Sequence, residues 1–187
     1  MRGLIVAVGT SPVHVLRMIL SLPPGRFDNI ILRTTEITSE YGHRILDIVS
    51  SEGHEAEVVG SMELGGCLDA LGDDWEFDLI LGPGRKQDVM TILRSVIDAT
   101  GEMPRFWVSF GERTKRGNAK QGEYTRLLRR STNDPDESHA LPDIDIETAC
   151  RLYDIDTTYF DKSWLEWNPS TCQVLLKAKD PDRPTEL

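Results

Sequence analysis

Cysteines are few in this sequence and long apolar runs are lacking. Its 187 residues include three cysteines, Cys67, Cys150 and Cys172, which are far apart and form no CxxC pair. This spacing predicts neither a disulfide framework nor a zinc site, and it favours a reducing compartment. The first apolar run ends at Gly9, and no segment approaches the roughly 20 apolar residues of a membrane span. We therefore expect a soluble, cytoplasmic protein with no membrane partner.

Positive charge is also scarce. Lys and Arg number 21 against 31 Asp and Glu, which gives a formal net charge of −10. A protein that binds long nucleic acid needs a basic face, so we expect no such partner. A small anionic ligand in a locally basic pocket is still compatible with this balance. The basic residues cluster in one run. Such a run is explained either by a solvated surface or by a ligand-binding loop. The basic residues of the run are Arg113, Lys115, Arg116, Lys120, Arg126, Arg129 and Arg130.

Short apolar segments alternate with helical patterns up to about residue 111. Apolar runs of this kind are typical of strands buried on both faces of a parallel sheet. The alternation predicts an open, doubly wound, mostly parallel α/β sheet. The predicted strands are Leu4–Val8, Ile30–Leu32, Ala56–Val59, Leu79–Leu81 and Phe106–Phe110, and the predicted helices lie near 12–21, 39–52, 63–73 and 86–100.

Residues 112–187 give weaker signals. We expect a basic loop and an acidic C-terminal extension, packed on a core formed by residues 1–111. Within this extension the sequence predicts a short helix at about 122–131, a second helix over Asp145–Tyr153 and a final strand over Gln173–Lys179.

The first predicted helix is apolar over most of its surface. Its polar stripe is narrow and consists of His14, Arg17 and Ser21. A helix of this kind needs a second burial partner besides the sheet. Either the C-terminal segment or a second copy of the chain would satisfy this requirement, and we favour a homodimer.

Two strand-to-helix turns have the composition of a phosphate site. The first follows strand 1 with Gly9, Thr10 and Ser11, and the second follows strand 4 with Gly82, Gly84, Arg85 and Lys86. Backbone N–H groups and the helix dipole both favour an anion at such turns. In a sheet of order 3-2-1-4-5 the two turns converge at the switch point where ligands bind. Taken singly, each turn also has a purely structural explanation, such as Ser11 acting as an N-cap before Pro12.

The two turns resemble the signatures of the CARF family, the Rossmann-like sensors of CRISPR-linked cyclic oligoadenylates. The segments that carry the resemblance are Val8-Gly9-Thr10-Ser11-Pro12 and Gly82-Pro83-Gly84-Arg85-Lys86. The similarity extends over roughly the first 111 residues, and Pro83 stands where the family usually has glycine. The resemblance implies a dimer whose paired pockets hold one two-fold-symmetric ring.

CARF proteins usually carry an effector domain, but the sequence has neither an R-x4-6-H ribonuclease motif nor a PD-(D/E)xK nuclease core. A stand-alone CARF of this size resembles the ring nucleases, which cleave the cyclic messenger and switch off the type III response. The resemblance implies cyclic tetra-adenylate as ligand and metal-independent attack by its own 2′-OH, without a cofactor. Lys86 and Ser11 would then be catalytic, with Arg85 as a phosphate ligand.

Two further hypotheses concern ligand and function. The basic loop, with Arg113, Lys115 and Arg116, starts beside the predicted crevice, and we expect it to close over a bound ring as a lid. The alternative function is a CARF sensor that binds cyclic oligoadenylate without cleaving it and regulates a separate partner. An unrelated nucleotide-binding protein of Rossmann-like fold is a third possibility.

Overall fold

A seven-stranded sheet organises the chain. Five strands are parallel and lie in the order 3-2-1-4-5: β1 (Arg2–Ala7), β2 (Asn29–Thr34), β3 (Ala56–Gly60), β4 (Glu76–Leu81) and β5 (Arg105–Phe110). The computed structural model describes residues 1–72, 74–81, 86–110, 124–128, 136–156, 165–168 and 173–176. Within these residues the predicted open, doubly wound, mostly parallel α/β sheet is confirmed.

Helices cover both faces of the sheet. One face packs against α1 (Pro12–Leu20), α2 (Ser39–Ser51) and α5 (Ile146–Tyr153), and the other packs against α3 (Leu64–Leu71) and α4 (Lys86–Thr100). Alternate residues of β1 face the two cores, with Leu4 and Val6 on the first side and Ile5 and Ala7 on the second. Strand β1 is therefore buried on both sides, which explains its continuous apolar run.

The sheet continues beyond residue 111. Strand β6 (Tyr124–Leu127) pairs antiparallel with β5, and β7 (Ser138–Ala140) pairs antiparallel with β6. The predicted helix at about 122–131 is therefore wrong. Thr125 and Leu127 are buried while their neighbours are more exposed, and this period of two is that of a strand. A separate two-stranded antiparallel sheet consists of β8 (Leu165–Asn168) and β9 (Gln173–Leu176), and β9 lies where the final strand was predicted.

The apolar helix α1 is covered by its own chain. Each residue of its polar stripe makes a hydrogen bond: His14 Nε2 lies 3.0 Å from Ser109 Oγ, and Ser21 Oγ lies 3.0 Å from Thr125 Oγ1. Arg17 Nε donates to the backbone oxygen of Pro142 at 2.8 Å. The apolar residues of α1 lie in the same core as α2 and α5. The C-terminal segment is thus a partner of α1, and the apolar surface of this helix gives no support to a homodimer.

Length and hydropathy of the helices bear on membrane spanning. None of those in the described ranges is both long and apolar enough to cross a bilayer.

Candidate functional site

The candidate site lies at the carboxyl edge of the parallel strands, between β1 and β4. These strands are parallel neighbours, with Val6 opposite Ile80. The segments that follow β1 and β4 therefore leave the sheet at the same edge. The Val8 N–H still donates to the Arg33 carbonyl of β2 at 2.9 Å, which fixes the last residue before the first turn. The order of strands reverses at this point, as expected for a ligand crevice in a doubly wound sheet.

The first turn brings Gly9, Thr10 and Ser11 to this edge. Thr10 is exposed, and Gly9 and Ser11 are half-buried. Ser11 occupies the N-cap position of α1 with Pro12 as the first helical residue, as the structural explanation requires. Its side chain, however, makes no capping hydrogen bond. The hydroxyl of Ser11 is therefore not committed to α1 and is available to bond a ligand.

Lys86 is the first residue of α4, and its side chain is exposed. The positive end of the α4 dipole and the Lys86 ammonium therefore reinforce each other at the carboxyl edge. The structure thus brings Lys86 to the same edge as Ser11. Six other predicted site residues lie outside the described ranges: Gly82, Gly84, Arg85, Arg113, Lys115 and Arg116.

Arg33 is a charged residue at this edge that the sequence analysis missed. It lies on β2, it is only 5% exposed, and its Nη1 is 2.6 Å from Asp88 Oδ1 on the first turn of α4. A sequence signal did exist, since an arginine that continues the apolar run of a buried strand must find a counter-charge. The sequence could not show which carboxylate supplies it.

His14 lies one helical turn beyond Ser11 and is half-buried. The 3.0 Å contact between its Nε2 and Ser109 Oγ joins α1 to β5 near the carboxyl end of that strand. This hydrogen bond gives His14 a structural role in holding α1 on the sheet.

Metal-ligating and thiol groups add little to this edge. Within the described part of the chain, no three His, Cys, Asp or Glu side chains gather closely enough to hold a metal ion. Burial, together with the nearby Glu57 carboxylate, raises the pKa of the Cys67 thiol, so this group stays protonated at neutral pH. It is therefore poorly suited to nucleophilic chemistry.

A cavity of about 470 Å³ lies at the opposite, amino edge of the sheet, beside β4, β5 and the end of α4. Its charged lining includes Asp74, Glu76 and Glu102 with Arg105. Among the described lining residues, three carboxylates face one guanidinium, and this balance disfavours a phosphate ligand. This cavity therefore lies at the opposite end of the sheet from Ser11 and Lys86.

A solved structure shares this fold. The crystal structure of protein VC1899 from Vibrio cholerae is similar with a TM-score of 0.55 and 10% identity, over 81% of this chain and 39% of that one. The structure of a type III CRISPR defence DNA nuclease activated by cyclic oligoadenylate gives a TM-score of 0.47 and 14% identity, over 81% of this chain and 24% of that one. The matched part of this chain therefore covers less than half the length of either protein.

These comparisons reach no further than architecture. At 10% identity the likeness to VC1899 shows a shared α/β fold alone, and a TM-score of 0.47 is too low to add to it. No protein-family model matches the sequence, and no curated protein matches it.

Proposed function

We propose that this chain is a CRISPR-associated ring nuclease that binds and cleaves cyclic tetra-adenylate at the carboxyl edge of β1 and β4. The observation that carries the proposal is the adjacency of these two strands. It brings Ser11, which follows β1, and Lys86, which begins the helix after β4, to one edge of the sheet, and this supports a shared site for the two signature turns. The shared fold of the VC1899 crystal structure is compatible with this assignment.

Local charge supports an anionic ligand at this edge. The chain as a whole is strongly acidic, with a formal net charge of −10, so a phosphate-rich ring needs a local attraction. Lys86 and the N-terminus of α4 supply positive potential, and the uncommitted Ser11 hydroxyl supplies a hydrogen bond. Arg85, next to Lys86 in the sequence, is proposed as a further phosphate ligand.

The proposed reaction needs no group beyond the ligand and the chain. A ribose 2′-OH of the ring attacks its adjacent phosphorus, the bond from phosphorus to the 5′-oxygen breaks, and the proton from the 2′-OH ends on that oxygen. Two such cleavages, at opposite phosphates of the ring, give two linear di-adenylates, each with a 2′,3′-cyclic phosphate and a free 5′-OH. Lys86 stabilises the charge that grows on the phosphoryl oxygens, and Ser11 holds the ribose or phosphate in line.

A homodimer over the carboxyl edge completes the proposal. Large apolar side chains are exposed on three segments that begin at this edge: Ile37 after β2 is 75% exposed, Met62 after β3 is 97% exposed, and Met90 on α4 is 62% exposed. Exposed apolar groups favour a protein partner. A second copy facing this edge would enclose a two-fold-symmetric ring between two crevices. The dimer contact is thus proposed here and not on α1.

One incubation separates the proposed function from its alternative. The purified chain is mixed with labelled cyclic tri-, tetra- and hexa-adenylate in EDTA, and the products are resolved by chromatography. Linear di-adenylates with a 2′,3′-cyclic phosphate support the ring nuclease. Tight binding with an intact ring supports the non-cleaving sensor, and the absence of binding to any ring contradicts both.

A further inference from the structure

Arg33 contacts both sides of the candidate crevice. Its backbone carbonyl accepts the Val8 N–H at 2.9 Å, immediately before the first turn. Its guanidinium Nη1 bonds Asp88 Oδ1 at 2.6 Å, on the first turn of α4. One residue of β2 is therefore joined to the segment that carries Ser11 and to the helix that carries Lys86.

The sheet leaves room for this contact. Arg33 is in register with Ala7 on β1, and Ala7 faces the same core as α4. The small alanine side chain allows the guanidinium to cross from β2, past β1, to the helix. A larger residue at position 7 would occupy the path of the arginine.

The buried Arg33 guanidinium depends on the Asp88 carboxylate for its counter-charge. The Arg33 side chain is 6% exposed, whereas Asp88 is 22% exposed. Among the residues that the structure describes, Asp88 forms the ion pair of Arg33, and Nε of Arg33 has no acceptor. Loss of the Asp88 charge would leave a buried cation unpaired, so the pair holds the helix at this point.

We infer that Arg33 is a positioning residue, which acts through Asp88 to fix the first turn of α4, and with it Lys86, relative to the β1 turn. The inference rests on the proposed function of this edge. An ion pair that only stabilised the fold would affect ring affinity and cleavage alike. A positioning pair affects cleavage more, because in-line displacement is more sensitive to geometry than binding is.

The test compares two variants on the same helix. Asp88→Asn removes the charge that faces Arg33, and Asp98→Asn removes one from the exposed Arg94–Asp98 pair, whose side chains are 84% and 69% exposed. Hydrogen exchange by NMR follows the amides of Met90 and Thr91, the first that bond back to carbonyls within α4. Affinity for cyclic tetra-adenylate and its single-turnover cleavage are measured alongside.

For Asp88→Asn we expect faster exchange at Met90 and Thr91, a cleavage rate about tenfold lower and an affinity within about threefold of wild type. Asp98→Asn should match wild type in all three. Unchanged exchange in Asp88→Asn, or rate and affinity that fall by the same factor, would overturn the inference.

A milder variant, Arg33→Lys, tests the same contact if Asp88→Asn folds poorly. Arg33→Lys keeps the buried charge but loses the planar fork, so exchange at Met90 and Thr91 should lie between wild type and Asp88→Asn. Exchange as slow as wild type would contradict the inference. If wild type binds no ring, the proposed function fails while the exchange measurements still decide whether Arg33 fixes α4.

Discussion

The two edges of the parallel sheet use their polar groups differently. At the amino edge the Asp78 carboxylate is fully buried, and three donors bond it: Arg2 Nη2 at 2.7 Å, Arg105 Nε at 3.0 Å and Trp107 Nε1 at 2.7 Å. At the carboxyl edge the Ser11 side chain caps nothing and Lys86 is exposed. Asp78 is thus fully paired within the fold, whereas the Ser11 hydroxyl and the Lys86 ammonium are available to a ligand.

The described cavity and the candidate anion site lie at different edges of the sheet. The cavity of about 470 Å³ lies at the amino edge, where Arg105, the cation among its described lining residues, already bonds Asp78. The candidate anion site lies at the other edge, where the strand order reverses. We therefore assign stability to the amino edge and propose that a ligand binds at the carboxyl edge.

The largest expected effect is the loss of stability when the buried carboxylate of the amino edge is removed. Asp78→Ala removes the shared acceptor of Arg2, Arg105 and Trp107 and should lower the free energy of unfolding by about 3 kcal/mol. This cost in unfolding free energy lies at the lower end of the range for breaking a buried ion pair. Arg2 and Arg105 are 21% and 31% exposed, so water partly screens their charges. Urea unfolding measures it.

Glu76→Ala is the control for this change. Glu76 is 74% exposed and lies 3.7 Å from Arg105, so its loss should cost less than about 0.5 kcal/mol. Equal destabilisation by the two variants would show that the Asp78 network has no special part in stability.

The second effect is a loss of cleavage when the exposed cation of the carboxyl edge is removed. Under the proposed function, Lys86→Ala should reduce single-turnover cleavage of cyclic tetra-adenylate by about 100-fold, since one charged donor to the transition state is lost. The free energy of unfolding should stay within about 0.5 kcal/mol of wild type, because the side chain is exposed. Arg94→Ala, on the same helix, should change neither. A rate loss matched by an equal affinity loss would make Lys86 a ligand anchor only.

Much of the fold was predictable because the central strands are buried on both faces. Runs such as Leu4–Val8 have little freedom to be anything but interior strands, and the helices between them show clear periodicity. Strand β6 was not predicted, because one of its two inward residues is Thr125, a polar group that is buried with its hydroxyl 3.0 Å from Ser21 Oγ. Strand β7 has three residues and lacks an apolar run.

The candidate site was predictable in part. The switch point follows from strand order, so Ser11 and Lys86 were brought to one edge by a general rule. The partners of Arg33 and Asp78 were not predictable, because 55 residues separate Arg33 from Asp88 and 76 separate Arg2 from Asp78. Such pairs depend on three-dimensional register, which local pattern does not encode.

A smaller effect contrasts two helix N-caps. Asp145 at the start of α5 accepts the Thr148 N–H at 2.8 Å, so Asp145→Ala should cost about 1 kcal/mol. Ser11 makes no such bond, so Ser11→Ala should cost less than about 0.5 kcal/mol while it slows cleavage. Urea unfolding of both variants checks the stability contrast. A Ser11→Ala cost as large as that of Asp145→Ala would restore Ser11 to a purely structural role.

The smallest effect is a pH dependence at the same cap. The backbone hydrogen bond from Thr148 lowers the pKa of Asp145 below its ordinary value of 3.8. The ionised Asp145 carboxylate therefore contributes its full stabilisation above pH 3.8, and this contribution is lost as the pH falls through the lowered pKa. The difference in unfolding free energy between wild type and Asp145→Ala should shrink over that range. A difference that stays constant would contradict a charged cap.

The most direct test of the central claim is an NMR titration of the isotope-labelled chain with cyclic tetra-adenylate, which observes both edges at once. The account predicts that shift changes and protection centre on residues 9–12 and on the first turn of α4 from Lys86. Residues 74–78 and 102–105 at the amino edge should stay unchanged. Shift changes centred on the amino-edge cavity, or none at a saturating concentration of ring, would contradict it.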